Sequence, residues 1–358
     1  MNIKEVLKIV CERDASDLLL KVNNVPYLRL YGELIPLNDF PAMTVGDMEQ
    51  IIAEITDDVH AKILREIFDT DFGIDVEGLD RFRVSIFFQR NVPSIVMRRI
   101  KKHVPDFEEL NLRPDVFKML SQEKRGLVLV TGPAGSGKSS TIASMINYMN
   151  NNFSRHIITL ENPIEFTFDD KKSVINQREL DLDVTSYPMA LRQVTLQSPD
   201  VVFIGTICDH DTMFAALNAA EMGVLVLGTI HTVNAAQTAQ RIINFFPPHQ
   251  HAEVRMQLSF LLRGVVSQRL VPNAEGFGRV PACETMILTP TISRLIREGA
   301  LADITRFLEE GSLFGMESFK QSLARLVRER KITVEEAYKY ADSKDELGLE
   351  IKGIKRLI

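Results

Sequence analysis

Gly132-Pro133-Ala134-Gly135-Ser136-Gly137-Lys138-Ser139 matches the pattern G-x-x-x-x-G-K-[ST] at every fixed position. Its surroundings give the match meaning. Gly126 to Thr131 precedes it as a short apolar β-type run, and Ser140 to Met149 follows with apolar residues at helical spacing. A strand, a glycine turn and a helix aim several backbone N–H groups and a helix N-terminus at one small volume, which favours a polyphosphate. Gly132 to Ser140 is therefore the expected nucleotide cradle. Lys138 is expected to reach the β- and γ-phosphates and the Ser139 hydroxyl to ligate Mg²⁺.

From Gly126 onward strand and helix alternate, which predicts a parallel sheet with crossover helices. Strands are expected at 127–131, 156–160, 201–204 and 224–230, with helices at about 138–150, 186–197 and 209–222, the last ended by Gly223. After Pro247-Pro248 the pattern is mostly helical, at about 250–268, 290–298, 303–309, 316–328 and 333–341. The first hundred residues read as a small α+β domain. Ile3, Val6, Leu7 and Val10 form one helical stripe, and strands are expected at 17–22, 26–31, 32–37, 70–76, 81–89 and 94–100. Thr44 to Asp47 is a capping-box-like helix start, and a further helix covers 59–68. Lys101 to Asp106 is polar and breaks at a proline. The expected division is a domain at 1–104, a linker at 105–113, an α/β nucleotide domain at 114–289 and a helical section at 290–358.

Composition narrows the function classes. With 358 residues, 45% hydrophobic and 25% charged, the chain can bury two or three cores. A net charge of −6 argues against a nucleic-acid machine. Cys11, Cys208 and Cys283 are scattered and odd in number, which fits a reducing compartment and excludes a four-cysteine zinc site. The N-terminus lacks a signal-peptide core and no apolar run is long enough to span a bilayer, so a cytoplasmic chain, or one peripheral to a membrane through partners, is expected.

In open α/β sheets ligands bind beyond the carboxyl ends of the strands, so the last residues of each strand are candidates. Glu161 is a carboxylate at such an end that could orient a water, though an exposed loop glutamate would look the same. His231 could donate to a phosphate oxygen, or be an ordinary polar residue. The third strand is unusual. A hydrolytic P-loop enzyme closes it with an acid, yet Gly205 is followed here by Thr206. Asp200 begins that strand at the wrong end, and Asp209 could simply cap the next helix.

With these motifs in place, the chain resembles the PilT-like retraction ATPases of type IV pili, in the hexameric secretion ATPase superfamily. The resemblance rests on Ala15-Ser16-Asp17-Leu18, Arg81-Phe82-Arg83-Val84, the Gly132–Ser139 loop, Thr159 to Phe166, Asp200 to Asp209, Gly223 to Thr232, Ile292 to Glu298 and Gly315 to Phe319. It implies a PAS-like domain, then a RecA-like P-loop domain with a helical C-terminal section, six subunits in a ring, and ATP with Mg²⁺. It also implies an inner-membrane pilus platform protein and a paralogous ATPase as partners, at the cytoplasmic face of the inner membrane. Arg81, Arg83 and Arg98 fall where the family's N-terminal arginines reach phosphates, a task suited to the guanidinium fork.

The departures cluster in the catalytic boxes. The usual Glu-Asp-Pro is Glu161-Asn162-Pro163, the usual Gly-Glu-x-Arg-Asp is Gly205-Thr206-Ile207-Cys208-Asp209, and the first His-box histidine is Val224. Losing a positioned acid or base costs about 10²–10⁴ in rate, so ATP binding with weak turnover is expected. Two alternatives stay open: a non-catalytic regulatory or structural subunit, and a fully active ATPase in which Glu161 and a further residue replace the acid. A pilus-assembly or type II secretion ATPase fits less well, because the cysteine-rich insertion usual there is missing.

Overall fold

The structure is a computed structural model that describes residues 2–30, 32–100, 103–180, 182–276 and 278–353. The strand end expected at Tyr31, the polar pair Lys101-Lys102 and the tail 354–358 lie outside the described residues. The chain divides into two units, Met1–His103 and Val104–Ile358.

In the first unit α1 (Ile3–Glu12) starts on the Asn2 cap and buries Ile3, Val6, Leu7 and Val10, the stripe read from the sequence. It is followed by β1 (Asp17–Lys21), β2 (Tyr27–Leu30), β3 (Glu33–Pro36), α2 (Val45–Ile55), α3 (Asp58–Ile67), β4 (Asp69–Asp75), β5 (Arg81–Gln89) and β6 (Val92–Ile100). Thr44 and Asp47 close a full capping box on α2. The strands make one antiparallel sheet in the order β3-β2-β1-β6-β5-β4. Period-two alternation on β5 buries Phe82, Val84 and Ile86 and turns Arg81 and Arg83 to the opposite face. Gly73 on β4 leaves room for one of them: a Cβ there would lie 2.5 Å from an Arg81 Nη atom.

The second unit begins with α4 (Pro114–Gln122), β7 (Gly126–Thr131), α5 (Lys138–Asn152), β8 (His156–Glu161), β9 (Val174–Glu179), α6 (Tyr187–Val194), β10 (Val201–Ile204), α7 (His210–Glu221) and β11 (Leu225–Ile230). It continues with α8 (Ala235–Asn244), α9 (His251–Leu261), β12 (Leu262–Pro272), β13 (Arg279–Ile287), α10 (Pro290–Glu298), α11 (Ile304–Glu310), α12 (Phe319–Arg328), α13 (Val334–Tyr340) and α14 (Lys344–Ile351). The sheet order is β13-β12-β7-β11-β10-β8-β9, parallel throughout except for β13. Every residue of β7 and β11 is buried, which is why both read as unbroken apolar runs. No helix among the described residues is long and apolar enough to cross a membrane.

Three expectations need correction. The helix expected at 250–268 stops at Leu261, and the chain continues as β12. Within β12 the backbone at Gly264 packs closely: a Cβ there would meet Leu120 Cδ2 at 2.8 Å and the Met286 carbonyl at 3.2 Å. β9, α8 and β13 were not anticipated at all. The helix expected from 316 starts at Phe319, set by a capping box of Ser318 with Gln321.

Phe107 and Leu112, inside the stretch read as a linker, are buried in the second unit's core, and the Phe107 ring stacks on Phe117 with centroids 5.5 Å apart. Phe107→Ala is therefore expected to destabilise the second unit by about 3–5 kcal/mol in chemical denaturation. A loss of under about 0.5 kcal/mol would show that this segment is only a tether.

Candidate functional site

The site grows from the carboxyl end of β7. The chain leaves the strand through Gly132, Gly135 and Gly137 at φ of +146°, +74° and +90°, a sequence of turns that side chains rarely permit. Gly132 is also walled in, since a Cβ there would lie 2.5 Å from both the Gln268 carbonyl and the Ser136 hydroxyl. Pro133, Ala134 and Gly135 are exposed at the loop tip, Ser136 is buried, and Ser140 lies half-buried in the first turn of α5. Gly137 caps α5 in the left-handed region, so the helix starts at Lys138.

Lys138 is only 8% exposed. Its Nζ donates to the carbonyls of Gly132 and Pro133, both at 2.9 Å, and burial lowers its pKa while the charge of Glu165 opposes the shift. The Ser139 hydroxyl donates to Glu165 Oε1 at 2.7 Å. The loop thus satisfies itself internally with the same two side chains that a nucleotide and its metal would need.

Ala134, Gly135, Lys138 and Ser139 line a cavity of about 230 Å³ that also receives Glu161, Thr206, Thr229 and His231 from three further strand ends, and Glu165 from the segment after β8. Glu161, the last residue of β8, is not an exposed loop glutamate. It is 7% exposed, and its Oε1 accepts from Thr159 Oγ1 at 2.7 Å and from Gln177 Nε2 at 3.3 Å. Burial pushes its pKa up to about 7 against the pull of those hydrogen bonds. His231 lines the same cavity, and its pKa is lowered by burial and by nearby Lys138, which favours the neutral ring at pH 7. Thr206 is on the wall, so the third strand end contributes a hydroxyl and no carboxylate.

The remaining candidates have the following partners. Asp209 is the N-cap of α7, its carboxylate accepting from the Thr212 amide at 2.8 Å. Asp200 accepts from the His156 amide at 2.8 Å, at the start of β10. Arg81, Arg83 and Arg98 lie on the first unit's sheet and pair with Asp75 at 2.6 Å, Asp71 at 2.8 Å and Asp17 at 2.9 Å.

Glu165 is the functional candidate that strand-end reasoning missed, because it sits four residues past the end of β8. Its signal was present as the second glutamate of Glu161-Asn162-Pro163-Ile164-Glu165. No group of three or more His, Cys, Asp or Glu among the described residues could hold a metal on its own. Mg²⁺, however, commonly takes one or two protein oxygens and completes its shell with phosphate and water, and the Ser139 hydroxyl beside the Glu165 carboxylate fits that donor set.

Comparison with known proteins gives the family. Residues 69–348 match the model of the family described as Type II/IV secretion system protein. The chain is 41% identical to the type IV pilus retraction ATPase PilT of Pseudomonas aeruginosa over 337 residues, 94% of this chain and 97% of that one. This chain is a PilT/PilU-like member of the secretion ATPase family. It is also 37% identical to the type IV pilus ATPase PilU of the same organism over 352 residues, 98% of this chain and 92% of the relative. A crystal structure of the PilT retraction motor with bound ADP superimposes with a TM-score of 0.89 at 41% identity, covering 97% of this chain and 99% of that one.

The folded Glu161 carboxyl keeps its proton to about pH 7, whereas the ordinary value is 4.5. The folded state therefore holds the extra proton between those values, and stability falls as pH rises through that window. Glu284, also pushed up to about 7 by burial, adds the same slope, so variant must be compared with parent. Glu161→Gln preserves both acceptor contacts of Oε1. Between about pH 5 and pH 8 it is expected to lose roughly 1–3 kcal/mol less stability than the parent.

Proposed function

We propose that the chain binds ATP with Mg²⁺ at the Gly132–Ser140 loop and serves as a subunit of a pilus retraction motor, with slow hydrolysis. The observation that carries the reading is the Ser139–Glu165 contact at 2.7 Å in a cavity whose third wall ends in Thr206. On ATP binding Lys138 would exchange the Gly132 and Pro133 carbonyls for the β- and γ-phosphates. Ser139 would turn its oxygen to the metal and release Glu165. Mg²⁺, when bound, neutralises phosphate charge. Glu165, once free, is placed to accept a proton from water, and the neutral ring of His231 to donate to a phosphate oxygen. Thr206 can donate its hydroxyl but cannot serve as that base. Glu161, with its pKa raised to about 7, shapes the wall beside them.

The near full-length similarity to PilT and PilU supports a ring assembly, six-fold by family resemblance, with Arg81, Arg83 and Arg98 reserved for phosphate. The same similarity supports work at the inner-membrane pilus platform alongside a paralogous ATPase, without nucleic acid.

Single-turnover hydrolysis of bound ATP tests the reading. Thr206→Glu is expected to raise the rate by about 10²-fold or more, and Glu165→Gln to lower it by a similar factor. Equal rates in the parent and Thr206→Glu would mean that Glu165 suffices and hydrolysis is not impaired. If Lys138→Ala dissolves the assembly while Glu165→Gln changes no rate, nucleotide serves only to hold the subunits together.

A further inference from the structure

β12 runs beneath the phosphate loop and braces it at both ends. The backbone oxygen of Gln268 occupies the space a Gly132 Cβ would need, 2.5 Å from it, and Leu270 packs 3.6 Å from the Cβ position of Gly137. Between them the Gln268 carboxamide donates through Nε2 to Thr141 Oγ1 of α5 at 2.9 Å. One residue earlier on β12, Ser267 Oγ accepts from the Thr131 hydroxyl at 2.9 Å, at the point where β7 enters the loop. All four polar side chains, Thr131, Thr141, Ser267 and Gln268, are essentially fully buried.

Packing alone does not account for an amide there. Gln268 Oε1 has no partner among the described residues, and Nε2 divides itself between Thr141 and Cys283 Sγ, 3.7 Å away. A buried amide left half-satisfied costs stability that an apolar side chain of the same shape avoids. The same neighbourhood extends outward, since the Cys283 amide on β13 donates to Ser322 Oγ of α12 at 3.0 Å. Behind it Glu317 pairs with Arg325 of α12 at 2.9 Å and its backbone bridges to Thr285.

We propose that Gln268 is a positioning residue that fixes the first turn of α5 against the β12–β13 hairpin. Through Thr141 it sets the direction of the N-terminal amides of α5 and the reach of Lys138, and the hairpin carries that setting to α12. The inference rests on the nucleotide-binding reading above. Gln268 acts through Thr141 and has no contact with the nucleotide.

Equilibrium titration with a fluorescent ADP analogue in the presence of Mg²⁺, paired with urea unfolding of the same samples, tests it. Gln268→Met, which keeps length and removes the amide, is expected to unfold at the parent's midpoint or above it, yet to bind the analogue about tenfold more weakly. Thr141→Val deletes the same bond from the helix side and is expected to show the same loss. The double variant should bind no more weakly than either single one. Parent-like affinity in both variants overturns the proposal, as do losses that add, or losses that follow a fall in stability. If Gln268→Met does not fold, Thr141→Val decides alone. A parent that fails to bind the analogue overturns the nucleotide reading itself, and a parent that binds equally with both variants overturns only the role of Gln268.

Discussion

A buried ammonium group at the start of a helix is the constraint on which the second unit depends. Lys138 is held away from bulk water where the α5 amides already bring positive potential, and its hydrogen bonds go to two backbone carbonyls. Those carbonyls are within reach only because Gly132 turns at a φ closed to most residues. That turn in turn leans on the Gln268 backbone of β12. Strand, loop, helix and neighbouring strand therefore fix one another. A polyanion is the ligand that relieves the arrangement, because it can replace both carbonyls and answer the helix amides together.

The carboxylates opposite are graded. Glu161 is kept largely uncharged below about pH 7 by burial, while Glu165 is exposed and holds Ser139. An incoming phosphate therefore meets the exposed Glu165 carboxyl near Ser139, and that one is suited to share a metal or take a proton. The absence of a third carboxylate at Thr206 lowers repulsion toward phosphate at the same time as it removes an acid from the chemistry. On the proposed function, the substitution of one residue would then favour binding and slow turnover together.

Much of this was legible in the sequence, for reasons that differ by element. β7 and β11 declared themselves because burial on both faces demands continuous apolar runs, and the glycines of the loop because no other residue turns that way. Asp209 was readable as a cap from its place before α7. The misses have different causes. α9 passes into β12 with no turn residue between Leu261 and Leu262, and apolar residues continue on both sides, so helical periodicity appeared to run on. β9, Val174–Glu179, is an edge strand with a polar outer half, and its sequence lacks the apolar pattern of its neighbours. Glu165 was hidden because its position depends on how the chain folds back after β8, a tertiary matter that strand-end counting does not reach.

The sheet of the first unit has two open borders, and their chemistry differs. β4 carries Asp69, Asp71 and Asp75 along one border. β3 forms the other, only four residues long, exposed throughout and ending in Pro36. Asp71 and Asp75 are taken up by Arg83 and Arg81, and a short border closed by proline offers few amides to template another strand. The β3 border is therefore a poor template for edge-to-edge pairing, a protection that resides in its outermost residues.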